Sequence, residues 1–298
     1  MGIARTVVVA QGKGGVGKTS TASNVAGLAA EAGLRACIID LDPQGNVARD
    51  LGLAPDDGNA LFTALITGAS LPVTRDVRPR LDVVMGGPAV ADITGVMFSR
   101  SARGGEELAS TFHRSLSAIA DEYDLILIDT PPNEKILVEA AFAVAAAVVI
   151  PTRADDASLD GLGRVAERFI AARTTNPDLR LAGVLLFAIG ARSKRLEDGA
   201  RETIAAILGD SAPVFEARVR HLESAAVDAR RAGLLAHELD IAALQDRRNR
   251  LAALRAGHSP TSGLLVRNAG GLADDYEAVT RELLTRLGQI EQETEVPA

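Results

Sequence analysis

The chain has no tryptophan and only two tyrosines and seven phenylalanines among 298 residues. Its core must therefore be built from Ala, Val, Leu and Ile, and stacking of nucleic-acid bases on aromatic rings is not a binding mode this composition favours. One cysteine, Cys37, excludes an intrachain disulfide and offers no metal-ligand spacing; in the apolar run ACIID it reads as a core residue of a strand. The four histidines, His113, His221, His237 and His258, are scattered and have no Cys or His partner at ligand spacing, which argues against a metal held by side-chain nitrogen. No apolar run approaches the about 20 residues that span a bilayer, and the first strand begins almost at once without a signal-peptide pattern, so a cytosolic chain is expected. No repeat, low-complexity tract or Ser/Gly/Pro linker marks a boundary. One domain over 1–298 is expected, with 240–298 as a helical C-terminal portion.

What is present is concentrated at the N-terminus. Thr6 to Ala10, TVVVA, is a short β-branched run that predicts a buried strand, and Thr19 to Glu31 predicts a helix. Between them lies QGKGGVGKTS, in which Gly12, Gly17, Lys18 and Thr19 satisfy G-x-x-x-x-G-K-[ST] in the strand-loop-helix setting that a phosphate-binding loop requires. Backbone amides of Gly12, Lys13, Gly14, Gly15, Val16, Gly17, Lys18, Thr19 and Ser20 can close around phosphate oxygens at the positive end of the helix. Lys18 then reaches the β and γ phosphates, and the Thr19 hydroxyl ligates magnesium. The loop carries a second lysine, Lys13, that such a loop does not need.

Downstream, apolar segments alternate with helical patterns. Strands are predicted at 36–41, 81–87, 125–129, 147–151, 181–187 and around Val214, and helices at 60–67, 106–120, 134–146, 159–173, 195–208, 240–255 and 272–292. The stretch 89–105 is poorly periodic and reads as a mobile surface segment. Continuously apolar strands alternating with helices imply the α/β class: a single-domain P-loop fold with a mostly parallel sheet covered by helices on both faces. Ligands then gather at the carboxyl ends of the strands.

The acids fall there. Asp129 closes LILID and is placed to hold the magnesium shell opposite Thr19. Asp40 and Asp42, two apart on an extended segment, share a face; one carboxylate can orient magnesium-bound water and the other the attacking water, while DPQGN is equally rich in turn formers. The net charge of −7 argues against nucleic acid, yet Arg192, Lys194, Arg195, Arg201, Arg218, Arg220, Arg230 and Arg231 crowd into 190–231. A local basic face can bind phosphate on an acidic protein.

KGGVGKTS at 13–20, DLDPQGN at 40–46, LILIDTPP at 125–132 and IPTRADDASLDGL at 150–162 together resemble the ParA family of DNA-partition ATPases, in the deviant-Walker group that also holds MinD, the nitrogenase iron protein and several ligases. The likeness is close over 7–51 and 124–184, looser at 219–230 and absent near 245–271, which is therefore a candidate family-specific insertion. The resemblance implies an ATPase that uses ATP and Mg2+. It makes Lys13 a signature lysine that reaches the phosphates of a partner subunit, Asp42 the acid that positions water, and Asp40 and Asp129 acids of the magnesium shell. It further implies a homodimer formed on ATP, nonspecific binding of double-stranded DNA through Arg192 and Arg220, a ParB-like centromere-binding partner that stimulates hydrolysis, and a cytoplasmic, nucleoid-associated protein that moves plasmid or chromosome DNA. Alternatives are a MinD-like positioning ATPase, which the acidic ending QIEQETEVPA and the absence of a basic amphipathic C-terminal helix disfavour, and a biosynthetic ATP-dependent ligase of the same fold. A single strand cysteine excludes the iron-sulfur reading, and no membrane partner is expected.

Overall fold

The computed structural model describes residues 2–132, 134–190, 194–209, 212–256, 258 and 269–295. In chain order the elements are β1 (Ile3–Val9), α1 (Lys18–Glu31), β2 (Ala36–Asp40), α2 (Asn46–Asp50), α3 (Asn59–Thr67), β3 (Val73–Arg78), β4 (Leu81–Val84), a 3-10 turn at Pro88–Asp92, α4 (Ile93–Ser101), α5 (Leu108–Ala120), β5 (Leu125–Asp129), α6 (Lys135–Val144), β6 (Ala145–Thr152), α7 (Asp156–Ala172), β7 (Arg180–Ile189), α8 (Lys194–Leu208), β8 (Val214–Arg220), α9 (Glu223–Ala232), α10 (Ala236–Arg255) and α11 (Gly270–Glu295). The strands form one sheet in the order β3-β4-β2-β5-β1-β6-β7-β8. All neighbours run parallel except β3, which is antiparallel to β4 at the edge.

Successive side chains of a strand point to opposite faces, and here both faces are covered. Val8, Ile39, Ile126 and Ile128 pack with Phe112, Phe142 and Leu162 of α5, α6 and α7. Val7, Val9, Ile38 and Leu127 pack on the other side with Val25 of α1 and Tyr276 and Val279 of α11. That double burial is why the strands read as unbroken apolar runs, and it produces the expected α/β architecture.

Two expectations change. Residues 89–105 are largely a 3-10 turn and α4, not a mobile segment: Val90, Ile93 and Met97, at helical spacing, are buried, while Asp92, Thr94 and Gly95 between them dilute the periodicity. β3, whose alternating charges suit an edge strand, and the short α2 and α9 are further elements that the sequence pattern does not predict. In the candidate insertion 245–271, residues 245–255 belong to α10, and 257 and 259–268 lie outside the described residues.

The sheet edges are closed by side chains. On β8 the backbone amides of Glu216 and Ala217 donate to the Glu282 carboxylate at 3.0 and 2.9 Å, and that of Arg220 donates to Asp275 Oδ2 at 2.7 Å, both acids coming from α11. At the opposite edge β3 shifts register between Thr74 and Arg78 and places Asp76 at a left-handed φ of 52°.

Candidate nucleotide site

The central strand β1 delivers the glycine loop to the carboxyl end of the sheet, and α1 starts directly from it. Gly15 and Gly17 take left-handed φ values of 73° and 87°, which only glycine adopts without strain. At Gly17 an added Cβ would also lie 2.2 Å from a ring atom of Phe187, so the end of β7 presses on the loop. Around Gly14 and Gly15 the backbone faces open space, a cradle of the kind phosphate oxygens occupy.

Lys18 is buried and donates to the carbonyl of Lys13 at 3.3 Å. Burial lowers its pKa, against the opposing charges of Asp129 and Asp42. The Thr19 hydroxyl donates to Asp129 Oδ2 at 2.6 Å, and the other oxygen, Oδ1, is buried without a hydrogen-bond partner. The register pairs Asp40 with Asp129 on neighbouring strands. Burial pushes Asp129 up to about 7, with Asp42 adding to the rise against Thr19 and Lys18; burial and then Asp129 push Asp40 well above the carboxylate range. The turn reading of DPQGN holds: Asp40 accepts from the amides of Asp42 at 2.9 Å and Val47 at 3.1 Å, and Asp42 Oδ1 accepts from Gln44 N at 2.9 Å, Asx-type turns that hold the acids in place.

A carboxyl whose pKa rises on folding costs stability once pH exceeds its unfolded value near 4, and the cost grows until pH passes the folded value. Asp129→Asn is therefore expected to raise the melting temperature of the nucleotide-free protein by a few degrees at pH 8 and by much less at pH 5, measured by calorimetry. Equal shifts at the two pH values would show that the empty site carries no such electrostatic cost.

Lys13 is set differently from Lys18. Its side chain is 35% exposed, and its ammonium lies 2.6 Å from Asp155 Oδ1. Asp155 caps α7 by accepting from Ser158 N at 3.0 Å, and the Lys13 contact holds its carboxyl below the ordinary value. Gln11 adds a buried staple: its Oε1 accepts from Gly12 N at 2.7 Å and its Nε2 donates to the Ser158 carbonyl at 3.2 Å. Neither Asp155 nor Gln11 was assigned a role from sequence, although Asp155 lies in the quoted motif at 150–162. The cleft above the loop has a volume of about 700 Å³; Asp42, Glu134 and Arg230 line it, as do Phe187 and Tyr276, which sequence reading missed.

Four arginines of the 190–231 cluster are engaged by acids. Arg192 lies outside the described residues. Arg220 forms a two-point ion pair with Asp275, Nε to Oδ2 at 2.7 Å and Nη2 to Oδ1 at 2.8 Å. Arg201 and Arg218 share Glu197, and Arg230 pairs with Asp50 at 2.9 Å.

A glycine loop between the central parallel strand and a helix, with a buried lysine, a hydroxyl on its first turn and an acid closing the neighbouring strand, defines a P-loop α/β protein. Residues 4–181 match the protein family described as AAA domain. The chromosome partitioning protein ParA of Caulobacter vibrioides is 34% identical over 218 residues, covering 69% of this chain and 77% of that protein. The chain belongs to the ParA family of partition ATPases. Among solved structures, an ATP complex of McdA from Cyanothece superposes with a TM-score of 0.71 at 19% identity over 96% of this chain and 98% of that one. Cobyrinic acid a,c-diamide synthase from Mycobacterium smegmatis, with an ATP analogue and magnesium, gives 0.64 at 24% identity over 74% and 86%. These two likenesses concern the fold. Among the described residues no helix is long and apolar enough to cross a membrane, and no group of three or more His, Cys, Asp or Glu side chains is placed to hold a metal.

Proposed function

We propose that the chain is an ATP-driven partition switch: it binds ATP with Mg2+, pairs with a second copy across the nucleotide, holds duplex DNA without sequence preference in the cytoplasm, and lets go when a ParB-like partner stimulates hydrolysis. The observation that carries this reading is the unequal setting of the two loop lysines, one buried within its own loop and one at the exposed rim, tied to Asp155.

The residues fit magnesium nucleotide. The unpartnered Asp129 oxygen, the open cradle at Gly14 and Gly15, and the Thr19 hydroxyl suit a cation held by one side chain, phosphate oxygens and water rather than by an all-protein cage. When bound, Mg2+ supplies positive charge to the phosphate oxygens. Lys18 would bind the β and γ phosphates, and Thr19, with Asp40 and Asp129 through water, would hold the cation. Asp42 orients the attacking water. Lys13 leaves Asp155 and neutralises the phosphates bound by the second protomer.

Lys13→Gln is expected to keep nucleotide binding and lose ATP-dependent dimerisation and turnover, followed by light scattering and phosphate release. Asp155→Ala should act in the opposite sense. A half-exposed ion pair contributes about 0.2–1 kcal/mol, so freeing Lys13 should strengthen ATP-dependent dimerisation by about 1.4- to 5-fold per protomer. Weaker dimerisation in Asp155→Ala would show that the pair supports the active loop instead of restraining it.

Arg192 and Arg220 remain the proposed phosphate contacts of the family resemblance, with Arg220 sharing its guanidinium with Asp275. ATP turnover measured with and without duplex DNA tests the whole reading. Stimulation or ATP-dependent retention on DNA supports partition; a rate indifferent to DNA replaces it with the ligase reading.

A further inference from the structure

Residues 247–268 contain five arginines, Arg247, Arg248, Arg250, Arg255 and Arg267, and no acid, in a chain of net charge −7. The first four lie on the distal half of α10. Its first half packs on the body through Ala236, Leu239 and Ala243, whereas most positions from Leu244 to Ala256 are exposed. Arg250 pairs with Asp246 at 3.0 Å. Arg248 and Arg255 are exposed and have no carboxylate partner among the described residues. They differ in this from Arg218, Arg220 and Arg230, each bound to an acid from another element, and from Arg201, bound to Glu197 on its own helix.

The exposed apolar residues of α10 do not form a face of their own. Leu251 lies three residues from Arg248 and four from Arg247 and Arg255, and Leu254 lies four from Arg250, the spacings that make neighbours on a helix surface. Arginine stems thus run among the leucines. An interfacial membrane helix needs its cations on a side apart from its apolar residues, and two copies pairing along this stripe would bring arginines together. A phosphate backbone suits it: closely spaced anions that need no apolar partner.

We infer that the distal half of α10, through Arg248 and Arg255, is a contact surface for the phosphate backbone of duplex DNA. The inference rests on the partition reading and adds to it a surface outside the ATP cleft, in a part of the chain where the family resemblance is absent. Each phosphate contact contributes about 0.9 to the slope of log affinity against log salt, so losing two per protomer flattens it by about 1.8 per bound protomer, or about 60-fold less loss of affinity over a tenfold rise in salt.

The test uses the full chain with ATP and Mg2+, a labelled random-sequence duplex over a salt series, and the double variant Arg248→Gln/Arg255→Gln. The expected result is weaker binding and a flatter slope, with ATP affinity unchanged. Wild-type retention on DNA with an unaltered slope in the double variant overturns this inference and leaves the partition reading standing. A wild-type chain that hydrolyses ATP and is retained on no duplex sinks the partition reading and this surface with it. Retention on phosphatidylglycerol vesicles that the double variant loses reassigns the helix to a bilayer, and nucleotide-independent dimers that the variant abolishes reassign it to a second copy; either outcome overturns the inference.

Discussion

Lys18→Ala is expected to weaken binding of ATP with magnesium by at least about 100-fold, because a lysine shared by two phosphates makes two charge-assisted hydrogen bonds of about 1.5–3 kcal/mol each. The other loop lysine does not compensate within the same protomer, since Lys13 is held at the rim by Asp155 and reaches outward. Isothermal titration, with circular dichroism to confirm folding, is the measurement. An unchanged affinity would remove the loop from the nucleotide site.

Asp42→Ala should lower hydrolysis by about 100-fold or more, the usual loss when a group that orients or deprotonates water is removed. ATP-bound dimers should accumulate, because the substitution leaves Lys13, Lys18 and Thr19 in place. The geometry also separates the two acids of this turn. Asp40 spends both carboxylate oxygens on the amides of Asp42 and Val47, whereas Asp42 Oδ2 accepts no protein hydrogen bond among the described residues. A wild-type rate in Asp42→Ala would move the role to Asp40, whose two oxygens already accept one backbone amide each.

The phosphate loop and the acids at strand ends were legible because each depends on neighbours in sequence: the loop is one continuous turn, and Asp40, Asp42 and Asp129 follow directly from apolar runs. Asp155 escaped notice because its partner Lys13 stands 142 residues away, and Gln11 reaches 147 residues to Ser158. The partners of the arginines were hidden for the same reason. Counting charge along 190–231 shows a basic cluster, but Asp50 and Asp275, which neutralise Arg230 and Arg220, come from other parts of the chain, and Glu197, which binds Arg201 and Arg218, lies inside the counted stretch itself. α4 was lost because its two buried residues, Ile93 and Met97, are flanked by small polar ones, so that packing against the core, which no local pattern records, decides its helicity.

The closure of the sheet at both ends limits how copies of this chain can come together. An uncovered outer strand is a template on which another chain can lay its own backbone, and such growth has no natural stopping point. Here the outermost amides of Glu216, Ala217 and Arg220 are already taken by Glu282 and Asp275, and the opposite strand is broken by the left-handed Asp76. Strand-by-strand polymerisation is thereby blocked, and association is left to side-chain surfaces that can part again without breaking a backbone ladder, as a reversible assembly cycle demands.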